Sequence, residues 1–208
     1  MPPSALLLII DVQNDFLPGG ALAVPRGDEV ITVVNALVPR FANVIATQDW
    51  HPAGHVSFAS SHAGKRPFET IDLAYGRQVL WPDHCVQGTR GAALADGLDL
   101  TRAQAIVRKG YHAHTDSYSA FLEADRVTPT GLAAMLCERG ITDVYCCGLA
   151  TDFCVAWSAL DAQAAGFATF VVEDACRAID TGGSLAAARA QLAAAGVGML
   201  ASTELAAR

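Results

Sequence analysis

Three side chains suited to nucleophilic chemistry lie far apart in the sequence, each where an apolar run gives out: Asp11, Lys109 and Cys154. Cys154 follows "YCCGLATDF", where a stretch suited to a buried strand passes into a helical pattern. Cys146 and Cys147 already occupy the strand, so a thiol needed only for packing has no reason to lie beyond it. In the first turn of a helix, unpaired amides and the helix dipole favour a thiolate. Lys109, at the end of "AIVRK", would add positive charge beside it. Asp11, at the end of "LLLIID", could take the thiol proton and pass it to a leaving amine. Taken singly, each has a plainer reading: a core thiol, a turn aspartate, a solvated lysine. Three such residues at the carboxyl ends of strands make a coherent set, because open α/β sheets bind ligands there.

A second group lies in "QDWHPAGH" and "WPDHC". Asp49 and His51 are two residues apart, so an extended backbone points both to one side, and Pro52 biases His51 toward that conformation. His84 offers a third ligand. A carboxylate and two imidazoles with positions left for water suit one divalent transition metal such as zinc, iron or manganese. His55, His62, His112 and His114 are expected to make ordinary polar contacts in loops.

The elements that must position these groups alternate in type. "ALLLIIDV", "NVIATQD", "AQAIVRKG", "TDVYCCG", "ATFVVED" and "VGMLAS" read as strands, and the near-continuous apolar runs are those of strands buried on both faces. Between them "DEVITVVNALVPRF", "GLAAMLCERG", "TDFCVAWSALDAQAAG" and "SLAAARAQLAAAG" read as helices, closed by Pro39 or by glycines. The alternation predicts an α/β fold with a mainly parallel six-stranded sheet and helices on both faces. Residues 50 to 100, rich in His, Gly, Pro and Ser, break the rhythm; a loop this long is usually functional. The expectation is a single domain over residues 1–208, with a loop-rich insertion at about 50–100 that carries the metal site.

Composition narrows the function. A net charge of −7 argues against nucleic acid as a partner. The longest apolar run near the start, Ala5 to Ile10, is too short to span a bilayer, and "MPPS" lacks the basic side chain of a secretory signal. Six cysteines without regular spacing suit reduced thiols in the cytoplasm. No Gly-x-Gly-x-x-Gly follows the first strand, which removes a dinucleotide-binding oxidoreductase. The oligomeric state is left open, a homo-oligomer included.

With these residues in order, the sequence resembles nicotinamidases, also called pyrazinamidases, of the isochorismatase-like cysteine hydrolases. The resemblance runs through "IIDVQNDFLPGGALAV", "ATQDWHPAGHVSFAS", "LWPDHCVQGT", "VRKG", "DSYSAF", "CGLATDFCV" and "VVEDACRA". It implies a catalytic triad of Asp11, Lys109 and Cys154 and metal ligands Asp49, His51 and His84, with the metal on the pyridine nitrogen of the small-molecule substrate nicotinamide. His55 and Ser57 stay ambiguous as further contributors to the metal shell. It also implies an oxyanion hole from the amides of Ala150 and Cys154, with a cis peptide between Leu149 and Ala150. Phe16, Leu22, Trp81, Tyr118 and Ala150 would line the substrate pocket, while Phe153 lies where relatives accept several residue types. The implied reaction converts nicotinamide to nicotinate and ammonia, and pyrazinamide to pyrazinoate, in NAD salvage. Two rivals are a metal-free amidohydrolase of the same superfamily acting on a ureido substrate, and a metal-dependent binding protein. The metal set argues against the first and a reactive Cys154 against the second.

Overall fold

Six consecutive aliphatic residues without a polar alternation can be satisfied only by cover on both sides. The computed structural model, which describes residues 1–207, places Ala5–Ile10 accordingly, as a central strand fully shielded from solvent. In chain order the elements are β1 (Ala5–Ile10), α1 (Glu29–Leu37), β2 (Asn43–Asp49), β3 (Thr70–Leu73), β4 (Gly76–Val79), β5 (Ala105–Lys109), α2 (Leu132–Glu138), β6 (Asp143–Leu149), α3 (Ala156–Ala164), β7 (Ala168–Arg177), α4 (Ser184–Ala194) and β8 (Gly198–Leu200). Six of the strands form one sheet in the order β5-β2-β1-β6-β7-β8, and every neighbouring pair in it is parallel. Helices cover both faces: α1 packs on β6 and β7 and α3 on the same strands, with α4 against α3. No helix among the described residues is long and apolar enough to cross a membrane.

Three boundaries differ from the sequence expectation. β3 and β4 form a separate antiparallel hairpin within the segment between β2 and β5. Its strands are four residues each and mix polar with apolar side chains, so they lack the continuous apolar run of the central strands. β7 continues through "ACR" to Arg177, and its register against β6 shifts between Cys146 and Gly148 to absorb the extra length. The helix after β6 opens with one wide π-type turn, Thr151–Val155, before regular α3 begins.

The strand order reverses between β1 and β6, which marks the crevice beyond their carboxyl ends as the place for a ligand. Gly148 makes the convergence of those ends possible. Its φ is +114°, and a Cβ there would sit 2.1 Å from the carbonyl oxygen of Ile10. Cys147, one residue earlier, only fills the core and gives its thiol hydrogen to the Leu8 carbonyl at 3.7 Å.

These two neighbours should respond differently to the same substitution. Cys147→Ala should lower stability by about 1–2 kcal/mol, as a small core truncation does, and leave Asp11 and Cys154 in place. Gly148→Ala should lose distinctly more, since the backbone of β1 must move. Urea unfolding of both variants is the check, and equal losses would remove the role given to Gly148.

Candidate active site

Lys109 closes β5 with its side chain fully buried, and its surroundings explain how an ammonium survives there. Nζ donates to Asp49 Oδ1 at 2.9 Å and to the Ser117 carbonyl at 2.8 Å, and pairs with Asp11 Oδ2 at 2.9 Å. The Cys154 sulfur lies 3.4 Å from the same nitrogen. Burial opposes the charge, but the two carboxylates hold the lysine well above its ordinary pKa, so the cation is permanent.

Asp11 follows β1 with φ +48°, a left-handed conformation that aspartate tolerates better than most residues. Thr47 fixes it from β2: its hydroxyl donates to Asp11 Oδ1 at 2.6 Å and accepts from the Asp11 amide at 3.1 Å. Among the described residues, Asp11 Oδ2 is the one buried side-chain oxygen or nitrogen without a hydrogen bond, so a lone pair is available for a proton. Burial raises the pKa of Asp11, with Lys109 pulling the other way and Asp49 reinforcing the rise. A carboxylate moved toward neutrality in this way suits proton transfer.

Cys154 lies in the π-type turn, nearly buried. The expectation of a resident thiolate needs correction. Burial pushes the thiol well above its ordinary value; Lys109 opposes this, but the charges of Asp11 and Asp49 add to it. Two carboxylates claim the cation before the sulfur can, and this arrangement keeps the proton on Cys154 until Asp11 removes it. The peptide between Leu149 and Ala150 is cis, as the resemblance implies. The Ala150 carbonyl accepts from the amides of Phe153 and Val155 and is thereby turned into the turn.

Asp49, the last residue of β2, faces both groups. Its Oδ1 meets Lys109, while Oδ2 lies 3.0 Å from His51 Nε2 and 3.5 Å from His84 Nε2. The two residue sets read separately from the sequence are therefore joined through one carboxylate. His51 places Nδ1 2.8 Å from the Gly110 carbonyl and His84 its Nδ1 2.8 Å from the Pro82 carbonyl. A carbonyl only accepts, so both imidazoles carry hydrogen on Nδ1 and turn Nε2 toward the same carboxylate oxygen. Two imidazole nitrogens and an anionic oxygen facing one point require positive charge between them. The titration directions agree: burial opposes both charged forms, yet His51 and Lys109 hold Asp49 well below its ordinary value, and Asp49 raises His51. The donor atoms of Asp49, His51 and His84 lie within 4.8 Å of one another, which fits a divalent cation.

His55 is otherwise engaged. Its Nδ1 meets Ser57 Oγ at 2.7 Å, and Nε2 faces the carbonyls of His112 and Thr115 at 3.1 and 3.2 Å. Burial lowers its pKa to about 4, so it is neutral, with hydrogen on Nε2 and the Ser57 hydroxyl donating to Nδ1. Both ring nitrogens and the serine hydroxyl are thus occupied with each other or with backbone. His62 and His112 make ordinary polar contacts, with the Val56 carbonyl and with Glu123.

Asp49, His51, His84 and Cys154 open on one pocket, whereas Asp11 and Lys109, both fully buried, do not line it. Phe16, Leu22, Trp81, Tyr118 and Ala150 line it together with Asp49, His51, His84 and Cys154. Trp81 stands nearly perpendicular to Phe153 and to Tyr118, and its Nε1 donates to the Tyr118 hydroxyl at 2.9 Å. Phe153, Ile179 and Asp116 also line the pocket, although the sequence reading gave them no role there. Gln13 was missed as well: its amide brackets the backbone of Asp49, donating to the carbonyl and accepting from the N–H, each at 2.8 Å.

A sheet whose switch point carries an Asp–Lys–Cys cluster beside a histidine–carboxylate group defines a class, and comparison with known proteins agrees. The chain belongs to the isochorismatase family, whose domain model matches residues 5–204. It is 56% identical to the nicotinamidase of Acinetobacter baylyi over 96% of this chain and 93% of the relative. A solved structure of an Acinetobacter baumanii nicotinamidase–pyrazinamidase superposes with a TM-score of 0.98 at 56% identity, covering 99% of each chain. The pyrazinamidase of Pyrococcus horikoshii, solved in complex with zinc, superposes with a TM-score of 0.78 at 34% identity, covering 96% of this chain and 99% of that one.

Two substitutions test the geometry. Lys109→Met leaves two buried carboxylates without their cation, so stability should fall by about 3–5 kcal/mol. Lys109 lowers the pKa of the thiol, so its loss should move the alkylation midpoint of Cys154 to higher pH. An unchanged alkylation profile in the folded variant would show that the helix turn alone sets the thiol. At Gly110, which adopts φ +65°, a Cβ would come within 2.5 Å of His51 Cε1. Gly110→Ala should therefore weaken zinc binding by about tenfold or more, read by competition with a chromophoric chelator.

Proposed function

We propose that the protein hydrolyses the carboxamide of nicotinamide to nicotinate and ammonia, and that of pyrazinamide likewise, within NAD salvage. The observation that carries this reading is the contact of the buried pair Asp11 and Lys109 with Cys154 and Asp49, which share the wall of one aromatic-lined pocket with His51 and His84. Aromatic and aliphatic side chains make up much of the pocket lining, which favours a small planar ring over a peptide or a sugar. The high identity to a nicotinamidase supports the same substrate.

Asp49, His51 and His84 would hold one divalent ion, zinc, iron or manganese, and that ion would supply a Lewis-acid partner for the ring nitrogen. The zinc complex of the archaeal relative supports this assignment. Phe16, Leu22, Trp81 and Tyr118 would grip the ring and keep water from its faces. So oriented, the substrate presents its carboxamide carbon to the sulfur.

Asp11 takes the thiol proton as Cys154 Sγ bonds to the carboxamide carbon. The amides of Ala150 and Cys154 stabilise the oxyanion, and Lys109 balances the negative charge gathered around the sulfur. Asp11 then protonates the nitrogen, the C–N bond breaks, and ammonia departs from a thioester. In the second half Asp11 removes a proton from water, whose oxygen attacks the thioester carbon. The C–S bond breaks, nicotinate is released, and the proton returns to the sulfur. Asp11 serves every proton transfer, and its Oδ2 lies 2.9 Å from the Lys109 ammonium.

We place the enzyme in the cytoplasm as one domain, since its six cysteines are all free of disulfides and suit a reducing compartment.

The test is ammonia release from nicotinamide and from benzamide, which keeps the carboxamide but lacks the ring nitrogen. Metal-loaded protein should cleave nicotinamide and leave benzamide nearly untouched, and chelation should remove most of the difference. Cys154→Ala should abolish turnover while retaining metal. Equal cleavage of the two amides by the loaded protein would refute the ring-nitrogen contact, and turnover by Cys154→Ala would refute the thioester.

A further inference from the structure

Asp152 is a buried carboxylate to which the reaction above gives no part. It shares the π-type turn with Cys154. Its Oδ1 accepts from the Ile179 amide at 3.0 Å, and its Oδ2 from the Asp180 amide at 2.8 Å and from the Ser184 hydroxyl. Two of these donors lie on the connection from β7 to α4, and the third, Ser184, opens α4. That connection belongs to no ladder: Asp180, Gly182 and Gly183 have φ of +52°, +59° and +81°. Its internal bonds are few, chiefly the mutual pair between Thr181 and Ser184. Asp152 therefore supplies a large share of what holds the segment in position. Ile179, whose amide is one of the donors, lines the same pocket as Cys154.

We propose that Asp152 is a positioning residue that latches residues 178–184 to the nucleophile's own turn. The latch sets Ile179 as a wall of the ring pocket and so controls affinity for a planar aromatic ring without touching it. The proposal rests on the reading of this pocket as the ring-binding site. A carboxylate is needed because every partner is a donor. An asparagine of the same size would turn an NH₂ group toward at least one of two adjacent backbone N–H groups, and the segment would come loose on that side.

The experiment compares Asp152→Asn, Ile179→Ala and the double variant. Asp152→Asn should raise KM for nicotinamide by about tenfold while kcat stays within about threefold, because the wall acts on binding rather than on the thiol. Ile179→Ala should give a similar rise, and the double variant should be no worse than either, as two changes to one wall would be. Hydrogen exchange at the Ile179 and Asp180 amides should quicken in Asp152→Asn. If that variant does not fold, Ser184→Ala, which removes one of the three donors, should show a smaller shift in the same direction. Unchanged KM with unchanged exchange would overturn the latch, and so would a fall in kcat at constant KM. Amide exchange needs no turnover: a wild-type protein inactive on nicotinamide would refute the proposed reaction, and the exchange comparison would still decide the latch.

Discussion

The ammonium of Lys109 is the constraint around which the site is built. A buried cation is tolerated only when matched, and here the match comes from the next two strands of the sheet, β2 and then β1. β5, β2 and β1 are neighbours, Asp49 and Lys109 are direct partners in the parallel register, and Asp11 follows the end of β1. A slip of one residue in any of these strands would turn a charge into the apolar layer and leave another uncompensated. The same register that buries the sheet's aliphatic faces thus delivers the charged groups to one point. Gly148 then lets β6 come close enough to bring Cys154 to the lysine.

This arrangement makes the two residue sets one electrostatic unit. Asp49 divides its oxygens between Lys109 and the two imidazoles, so charge placed on the histidine side is felt at the lysine. With Lys109 already paired twice, its effect on the sulfur is a balance and not a surplus, and burial pushes the thiol above its ordinary value. The chemistry then depends on Asp11, whose pKa is raised by burial, with Lys109 opposing the rise and the charge of Asp49 adding to it.

Much of this was legible because parallel strands buried on both faces leave long apolar runs, and because chemistry gathers at their ends. The triad comes together at the strand ends, the metal-ligand group as its spacing implies, and the five pocket residues as the family resemblance implies. The missed elements have physical reasons. The hairpin β3–β4 is short and half-exposed, so its pattern resembles that of a loop. Gln13 and Thr47 act through hydrogen bonds to the backbone of Asp49 and to Asp11, and nothing in their neighbours marks them out. Ile179 lies in "AIDTGG", just past β7, and an isoleucine there carries no chemistry that would single it out as a pocket wall. Asp49 was assigned wholly to the metal group because spacing shows which residues share a side, but not that a carboxylate has two oxygens to share.

The wide turn at Thr151–Val155 has a geometric effect beyond presenting the sulfur. One residue more than an α-turn advances the helical phase by about 100°, so the direction of Cys154 and the face that α3 presents to the sheet are set independently. In a regular helix, aiming a side chain into the crevice would dictate which residues several turns later meet β6 and β7. Here the turn acts as an indexing joint. The packing face of α3 is free to drift through substitution while the nucleophile keeps its bearing, so the scaffold behind the reaction can diverge without re-aiming the sulfur.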